Sequence, residues 1–166
     1  MKRRRGSVTV EFAMVGIPLI FALISTVEMS RGMWMYHNQT FAIHQGARYA
    51  IVHGADCSAT GNSCTATVGS IATEIANNGL GLSPGSWNVS LISASGNNNV
   101  TCHPLSSCLT NSTVWPPSPD NAVGTNVTIS ATYPFTSALM MFFPGTKPTQ
   151  FATYDLPAFS KQTIQF

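Results

Sequence analysis

The chain has 166 residues, which is enough for one modest domain beside a membrane segment. Only 8% of the residues are charged, whereas roughly 25% are charged in an average soluble domain. Half of the eight basic side chains lie in the block Lys2–Arg5, and the residues after position 6 carry four basic and six acidic side chains, a balance of −2. No basic stripe interleaved with aromatic residues follows, which argues against nucleic acid as a partner.

The first predicted element is a membrane-spanning helix. The run Val8–Val27 is twenty residues long and contains Glu11 as its single ionisable group. Twenty helical residues cover about 30 Å, the thickness of the hydrocarbon core of a bilayer. Because four basic residues precede the run and few follow it, we expect the N-terminus in the cytoplasm and nearly everything after about residue 30 on the exported side. A secretory signal peptide has the same outline, but the usual small-residue cleavage pattern is hard to find, which favours an uncleaved anchor.

Glu11 is the residue of this run that needs an explanation. A carboxylate costs about 2.5–3.5 kcal/mol near the centre of a bilayer and less near its edge. Its position alone leaves two interpretations open, a side chain that reaches the headgroups and a charge kept for a partner. The residues around it decide between the two.

These residues resemble the processing site of type IV prepilins: a basic residue, Gly, four residues, Glu and an aromatic side chain, in the segment Arg5-Gly6-Ser7-Val8-Thr9-Val10-Glu11-Phe12. The resemblance implies that a membrane aspartyl peptidase cuts between Gly6 and Ser7 on the cytoplasmic side and leaves the apolar segment in place. Glu11 is then the fifth residue of the mature chain and pairs with the free α-amine of a neighbouring subunit. Opposite charges in a medium of low dielectric constant offset each other's desolvation.

The following residues narrow the family. Within about residues 5–53 the chain resembles the TadE-like minor pseudopilins of tight-adherence (Flp) pilus systems. The features that carry this resemblance are Pro18 seven residues after Glu11, the acidic Glu28 that closes the apolar run, and the segment Gln45–Ala50. Gly16 departs from the pattern, because a larger apolar residue is expected there. Beyond residue 53 the resemblance is confined to Val127–Phe135.

The pattern after the membrane predicts a second half for the same helix. Apolar and small residues recur at intervals of three and four as far as His53, and Gly54 is a plausible stop, which gives a stem from Ser7 to His53. The predicted packing face comprises Met29, Met33, Tyr36, Thr40, Ile43 or His44, Ala47 and Ile51. A short helix is then predicted from Thr65 to Asn78, ended by Gly79.

Strands are predicted in the rest of the chain. Apolar residues alternate around Trp87–Leu91 and along Val127–Tyr133, and Gln162–Phe166 is a third candidate strand. The segment Ala138–Phe143 is apolar but too short to cross a bilayer; core is the first interpretation, and a patch that docks on membrane or on neighbouring subunits is the second. The fold class predicted is α+β, pilin-like, with a long N-terminal transmembrane stem helix packed on a small antiparallel sheet.

The part of the chain that is predicted to be exported was searched for disulfide-forming cysteines and for metal-binding or catalytic residues. Four cysteines form two local pairs, Cys57 with Cys64 and Cys102 with Cys108, and neither pair has the two-residue spacing of zinc ligands. An exported location favours two structural disulfides, and sequence proximity favours the local pairing among three possible ones. Histidine and methionine share a helical face, but no compact metal-ligand motif is present, and no catalytic motif is found. The acidic residues Asp56, Glu74, Asp120 and Asp155 are interpreted as solvated side chains.

The predicted organisation is therefore a leader (1–6), a transmembrane and stem helix (7–53) and an exported α+β head (54–166). The resemblance implies a bacterial inner-membrane protein that acts in pilus biogenesis, adhesion or secretion by assembly, without catalysis or cofactor. Its implied partners are prepilin peptidase, other pilins and pseudopilins, the inner-membrane assembly platform and membrane lipid. Two alternatives remain: a pseudopilin of type II secretion, and a periplasmic enzyme or ligand-binding protein on an ordinary signal anchor.

Overall fold

A computed structural model describes residues 6–54, 66–137 and 153–165. The chain divides into two compact units, one comprising Met1–Met33 with Thr136–Thr153 and the other Trp34–Phe135 with Tyr154–Phe166. The elements are a long apolar helix, a short helix, a 3-10 turn and a four-stranded antiparallel sheet. The predicted α+β class is confirmed.

Helix α1 runs from Gly6 to Ile51 without interruption at Pro18. Its N-terminal part is apolar on every side: Val8–Ile51 contains an 18-residue window with a mean hydropathy of 2.1, and no residue of that window is buried. Among the described residues this is the one helix that is long and apolar enough to cross a membrane. The predicted stem ended at His53, two residues beyond the observed end, which is an ordinary difference at a helix terminus.

The predicted packing face of α1 is wrong in its first half. Met29, Met33 and Tyr36 are exposed, with relative exposures of 72%, 58% and 42%. The buried face begins later and includes small residues, namely Gln39, Ala42, Ile43, Ala47, Ala50 and Ile51. The spacing of apolar residues could not separate the two faces, because apolar side chains lie on several sides of the helix before residue 36.

Helix α2 spans Val68–Asn78. Thr67 caps it: its hydroxyl accepts a hydrogen bond from the Ser70 amide, and the Ser70 hydroxyl accepts one from the Thr67 amide. This reciprocal capping box satisfies two amide groups of the first turn that have no partner inside the helix. The buried face carries Val68, Ile71, Ala72 and Ile75, as the periodicity predicts, and Gly79 follows the last turn.

The sheet has the order β2-β1-β3-β4, with β1 at Asn88–Ile92, β2 at Val100–Cys102, β3 at Asn126–Thr136 and β4 at Thr153–Thr163. Strand β1 pairs antiparallel with β2 and with β3, so that Ser90 is opposite both Thr101 and Ser130. Strands β1 and β3 were predicted. The predicted terminal strand at Gln162–Phe166 is wrong over most of its length, because β4 begins earlier and ends at Thr163.

A single cluster of buried side chains forms the core of the second unit. It combines the buried face of α1 after residue 41, the apolar face of α2 and the alternate residues of β1 and β3 that point inward, with Trp87 and Trp115 fully enclosed. The opposite face of β1 and β3 carries Ser, Thr and Asn. One hydrophobic and one polar face is the usual pattern of an antiparallel sheet that is covered on one side.

Several predictions lie outside the described residues. They concern the leader block Lys2–Arg5, the cysteine pair Cys57 and Cys64, the acidic Asp56 and the apolar segment Ala138–Phe143. Of the predicted cleavage site, Gly6 and Ser7 are described as the first two residues of α1.

Candidate functional site

The residues predicted for processing and assembly lie in the first two turns of α1. Gly6 and Ser7, on either side of the predicted scissile bond, are the first described residues of α1, and Glu11 and Phe12 follow on its exposed surface. The ring of Phe12 lies beside Gly16, where an added Cβ would be 3.8 Å from the ring. An alanine at position 16 would therefore be in ordinary van der Waals contact with the Phe12 ring, and the glycine does not interrupt the helix.

Three hydroxyl side chains near the end of the apolar run are hydrogen bonded within α1. The hydroxyls of Ser25, Thr26 and Ser30 each donate a 2.8 Å hydrogen bond to the carbonyl four residues earlier. In hydrocarbon an unsatisfied polar group costs several kcal/mol. These hydroxyls therefore do not prevent the helix from lying in lipid.

Charged residues mark the end of the apolar run. Glu28 and Arg31 form an ion pair with 3.0 Å between Oε2 and Nη2, one turn apart on α1. The same guanidinium nitrogen donates to the carbonyl of Thr136, the last residue of β3. The opposite charges of Glu28 and Arg31 therefore balance where the apolar run ends. The hydrogen bond from Arg31 also connects the end of β3 to this part of α1, within the first unit.

Comparison with protein-family models identifies the N-terminal part of the chain. Residues 6–48 match the family described as TadE-like protein. The chain carries a TadE-like segment. This family belongs to tight-adherence (Flp) pilus systems and is not known for enzymatic members. Comparison with curated proteins and with solved structures gives no match.

The TadE-like segment begins at the predicted processing glycine and ends close to the last turn of α1. It covers the apolar run, the Glu28–Arg31 pair and the buried face of the helix after residue 38. The described residues after position 48 lie outside the match, so the chemistry of that part of the chain has to be established from its own side chains.

A disulfide joins Cys102 at the end of β2 to Cys108 in the 3-10 turn Leu105–Cys108. This is the local pairing that the sequence predicts for these two residues. The bond closes a small loop with a sequence separation of six, for which loop-closure entropy gives a stabilisation of about 2 kcal/mol. Both cysteines are buried, which indicates a structural bond and not an exposed redox centre.

Outside the TadE-like segment, the side chain of Asp120 accepts three hydrogen bonds. Its Oδ2 accepts from the Ser95 hydroxyl at 2.6 Å and from the Asn98 amide at 3.1 Å, and its Oδ1 accepts from the Ser95 backbone amide at 3.2 Å. Hydrogen bonds from Ser95, and then from Ser93 and Asn98, lower the pKa of the Asp120 carboxyl, although burial opposes them.

The interpretation of Asp120 as a solvated side chain is wrong. Its relative exposure is 5%, and it joins the turn between β1 and β2 to the segment that precedes β3. The sequence gives no local sign of this arrangement, since Ser95 lies 25 residues away. All of its partners donate hydrogen bonds, as expected of a carboxylate that orders a loop and not of one that ligates a metal ion.

The histidines do not converge. His44 is bonded to Ser160 of β4, with 2.9 Å between Nδ1 and Oγ, and His53 donates from Nδ1 to the Tyr49 carbonyl at 2.7 Å. His37 contacts the ring of Tyr36 edge-on. Within residues 6–54, 66–137 and 153–165, no group of three or more His, Cys, Asp or Glu side chains is arranged to hold a metal ion.

Proposed function

We propose that this protein is a minor pseudopilin of a tight-adherence pilus, held in the bacterial inner membrane with its N-terminus in the cytoplasm and its head in the periplasm. It acts by assembly and not by catalysis. The observation that carries the proposal is that the TadE-like match, residues 6–48, covers the long helix whose unburied apolar window could cross a membrane, with Glu11 inside the matched segment.

The proposed sequence of events starts with the leader. Prepilin peptidase cuts between Gly6 and Ser7, which removes the four positive charges of Lys2–Arg5 and creates an α-amine four residues from Glu11. This amine then neutralises Glu11 of a neighbouring pilin or pseudopilin, because an ion pair lowers the cost of placing either charge in a low-dielectric environment. The inner-membrane assembly platform is the site at which subunits meet.

The type II secretion alternative shares the leader and the stem. The TadE-like match favours a tight-adherence system over it. The second alternative, an ordinary signal anchor that carries an enzyme or a ligand-binding domain, requires an unprocessed leader. Processing is therefore the decisive measurement.

The experiment compares three variants by intact-mass spectrometry of the membrane-purified protein and by a piliation assay. Gly6→Leu is expected to leave a full-length, membrane-inserted and inactive protein. Glu11→Gln is expected to be cleaved normally yet to fail in assembly, because an amide supplies no countercharge. Gly16→Ala is the matched control, since the added Cβ meets only the Phe12 ring at 3.8 Å; it is expected to be cleaved and assembled. A wild-type protein that keeps Met1–Gly6 in cells with active peptidase would refute the proposal.

A further inference from the structure

The outer face of the sheet carries a compact group of small polar side chains. Ser90 and Ser130 are direct partners on β1 and β3, and Asn88 is paired in the same way with Thr132. Each of these side chains is half-buried or exposed, while the alternate residues of both strands are buried. The result is a flat surface of hydroxyl and amide groups on three adjacent strands, because Thr101 of β2 lies opposite Ser90.

A cavity of about 260 Å³ lies on this face. Its floor is formed by the small polar residues of β1 and β3, and its lining includes His103, which follows β2, and Phe159 of β4. Phe159 is 73% exposed. Removal of a phenylalanine side chain from water is favourable, so this exposed ring would gain stabilisation by covering a ligand.

The imidazole of His103 is the one titratable side chain of the lining. The other eight residues are Asn, Ser, Thr, Ala, Pro and Phe, so the lining contains no carboxylate, ammonium or guanidinium group. An anionic or cationic ligand would lose hydration there without gaining a countercharge. Charge complementarity therefore selects a neutral ligand that is rich in hydrogen-bonding groups and has one apolar face.

From this combination we infer that the outer face of the sheet binds one ring of a neutral saccharide, with the C–H face of the sugar stacked on Phe159 and its hydroxyls bonded to Asn88, Ser130 and Thr132. The negative face of an aromatic ring attracts the weakly positive C–H groups of a pyranose. Serine, threonine and asparagine supply both donors and acceptors, which matches hydroxyls that also do both.

The dimensions of the cavity limit what binds and how tightly. Pockets for drug-sized ligands have volumes of about 300–1,000 Å³, so a cavity of about 260 Å³ accommodates a single ring and leaves the rest of a longer chain in solvent. One stacked ring and a few neutral hydrogen bonds on an open surface give a Kd of the order of 1 mM. Several copies of the protein on one surface would bind a polysaccharide more tightly through avidity. The inference is independent of leader processing, because every lining residue belongs to the second unit.

The test is saturation-transfer difference NMR on the full-length protein in phospholipid nanodiscs, which avoids glycoside detergents that would compete for the site. The probes are the methyl glycosides of glucose, galactose, mannose, N-acetylglucosamine and N-acetylgalactosamine. Transfer to the C–H protons of at least one of them, with a dissociation constant in the millimolar range, is expected. Absence of transfer to all five probes would overturn the inference.

Two variants locate the site. Phe159→Ala is expected to lower the transfer at least fivefold, and Phe159→Trp to retain it. Tyr154→Ala is the matched control: Tyr154 is 62% exposed on the same strand but does not line the cavity, so the wild-type signal is expected. Both aromatic residues are exposed, so neither truncation removes a core side chain. Equal transfer in Phe159→Ala and wild type, or an equal loss in Tyr154→Ala, would contradict this site.

Discussion

Two buried polar side chains in the second unit differ in how far their hydrogen-bonding groups are satisfied. Asp120 is surrounded by donors and keeps its charge, whereas Gln39 is fully buried on α1 with neither its Nε2 nor its Oε1 hydrogen bonded to a described residue. A satisfied carboxylate stabilises the loops that it joins. A buried amide without partners costs about 1–3 kcal/mol. The two residues therefore lead to opposite mutational expectations.

Asp120→Asn is expected to lower the urea midpoint of the second unit at neutral pH. The pKa of Asp120 is depressed in the folded protein, by the Ser95 hydrogen bonds first. A depressed pKa stabilises the fold above the unfolded pKa, roughly 3.9, and this contribution is lost as the pH falls through the folded value. The difference between wild type and variant should thus be constant near neutral pH and shrink in acid.

The fluorescence of the buried Trp87 and Trp115 reports this unfolding, and Trp115 is close to the network, since its Nε1 donates to the Asn98 carbonyl at 2.9 Å. Asp155→Asn, at an exposed position on β4, is the control and should behave as wild type at every pH. A difference between Asp120→Asn and wild type that persists unchanged in acid would show that geometry, and not ionisation, is responsible.

Gln39→Met is expected to raise the free energy of unfolding by about 1–3 kcal/mol, because it removes the desolvation cost of an unbonded amide while nearly keeping the side-chain volume. Gln45→Met on the same helix, at a half-buried position, is the control and should change little. Urea titration followed by tryptophan fluorescence gives both values. Destabilisation by Gln39→Met would instead mean that the amide has a partner, such as a buried water molecule.

At the level of elements, the sequence predicts the helices and strands that have a regular pattern of apolar residues. It does not predict the strands that form through contacts with distant parts of the chain. Helix α2 and strands β1 and β3 follow from regular burial on one face. Strand β2 has three residues, too few for a pattern, and β4 is an edge strand that contains Pro157 and leaves most of its side chains exposed. The outer-face cavity could not be foreseen either, because its residues come from three strands, β1, β3 and β4, and from His103 after β2, and the sequence does not give the order of the strands.

The contact between α1 and α2 depends on a glycine. A Cβ at Gly46 would lie 2.4 Å from Cγ1 and 2.9 Å from Cδ1 of Ile75, a residue that is fully buried. Gly46→Ala should therefore destabilise the second unit by about 1–3 kcal/mol through overpacking, although alanine has a higher helix propensity by about 1 kcal/mol.

A double-mutant cycle separates the two effects. Ile75→Ala alone leaves a cavity, but in the Gly46→Ala background it also removes the clash, so the double variant should be more stable than the sum of the two single changes predicts. Additive free energies of unfolding would show that Gly46 is required for some reason other than its approach to Ile75.

On the scale of the whole molecule, charge distribution is the strongest signal in the sequence. Four basic residues precede the apolar run, while Arg31 is paired with Glu28 at its other end. Orientation in a membrane follows such an excess of Lys and Arg on the cytoplasmic side. Charge distribution and overall hydropathy do not depend on individual contacts, which is why the long apolar helix was predicted although the packing face of the same helix was partly wrong.

The orientation itself is testable with reporters fused after Phe166. Alkaline phosphatase, which requires the periplasm, should be active in this position, and green fluorescent protein exported by the same route should stay dark. Replacement of Lys2, Arg3, Arg4 and Arg5 by Gln should lower the phosphatase activity per membrane-inserted molecule, because the bias that retains the N-terminus in the cytoplasm is lost. Arg48→Gln is the control: it removes a basic residue on the opposite side of the apolar run, so the activity should equal that of the wild type. A fluorescent C-terminal fusion without phosphatase activity would place the second unit in the cytoplasm, where neither a periplasmic assembly role nor access to surface saccharides is possible.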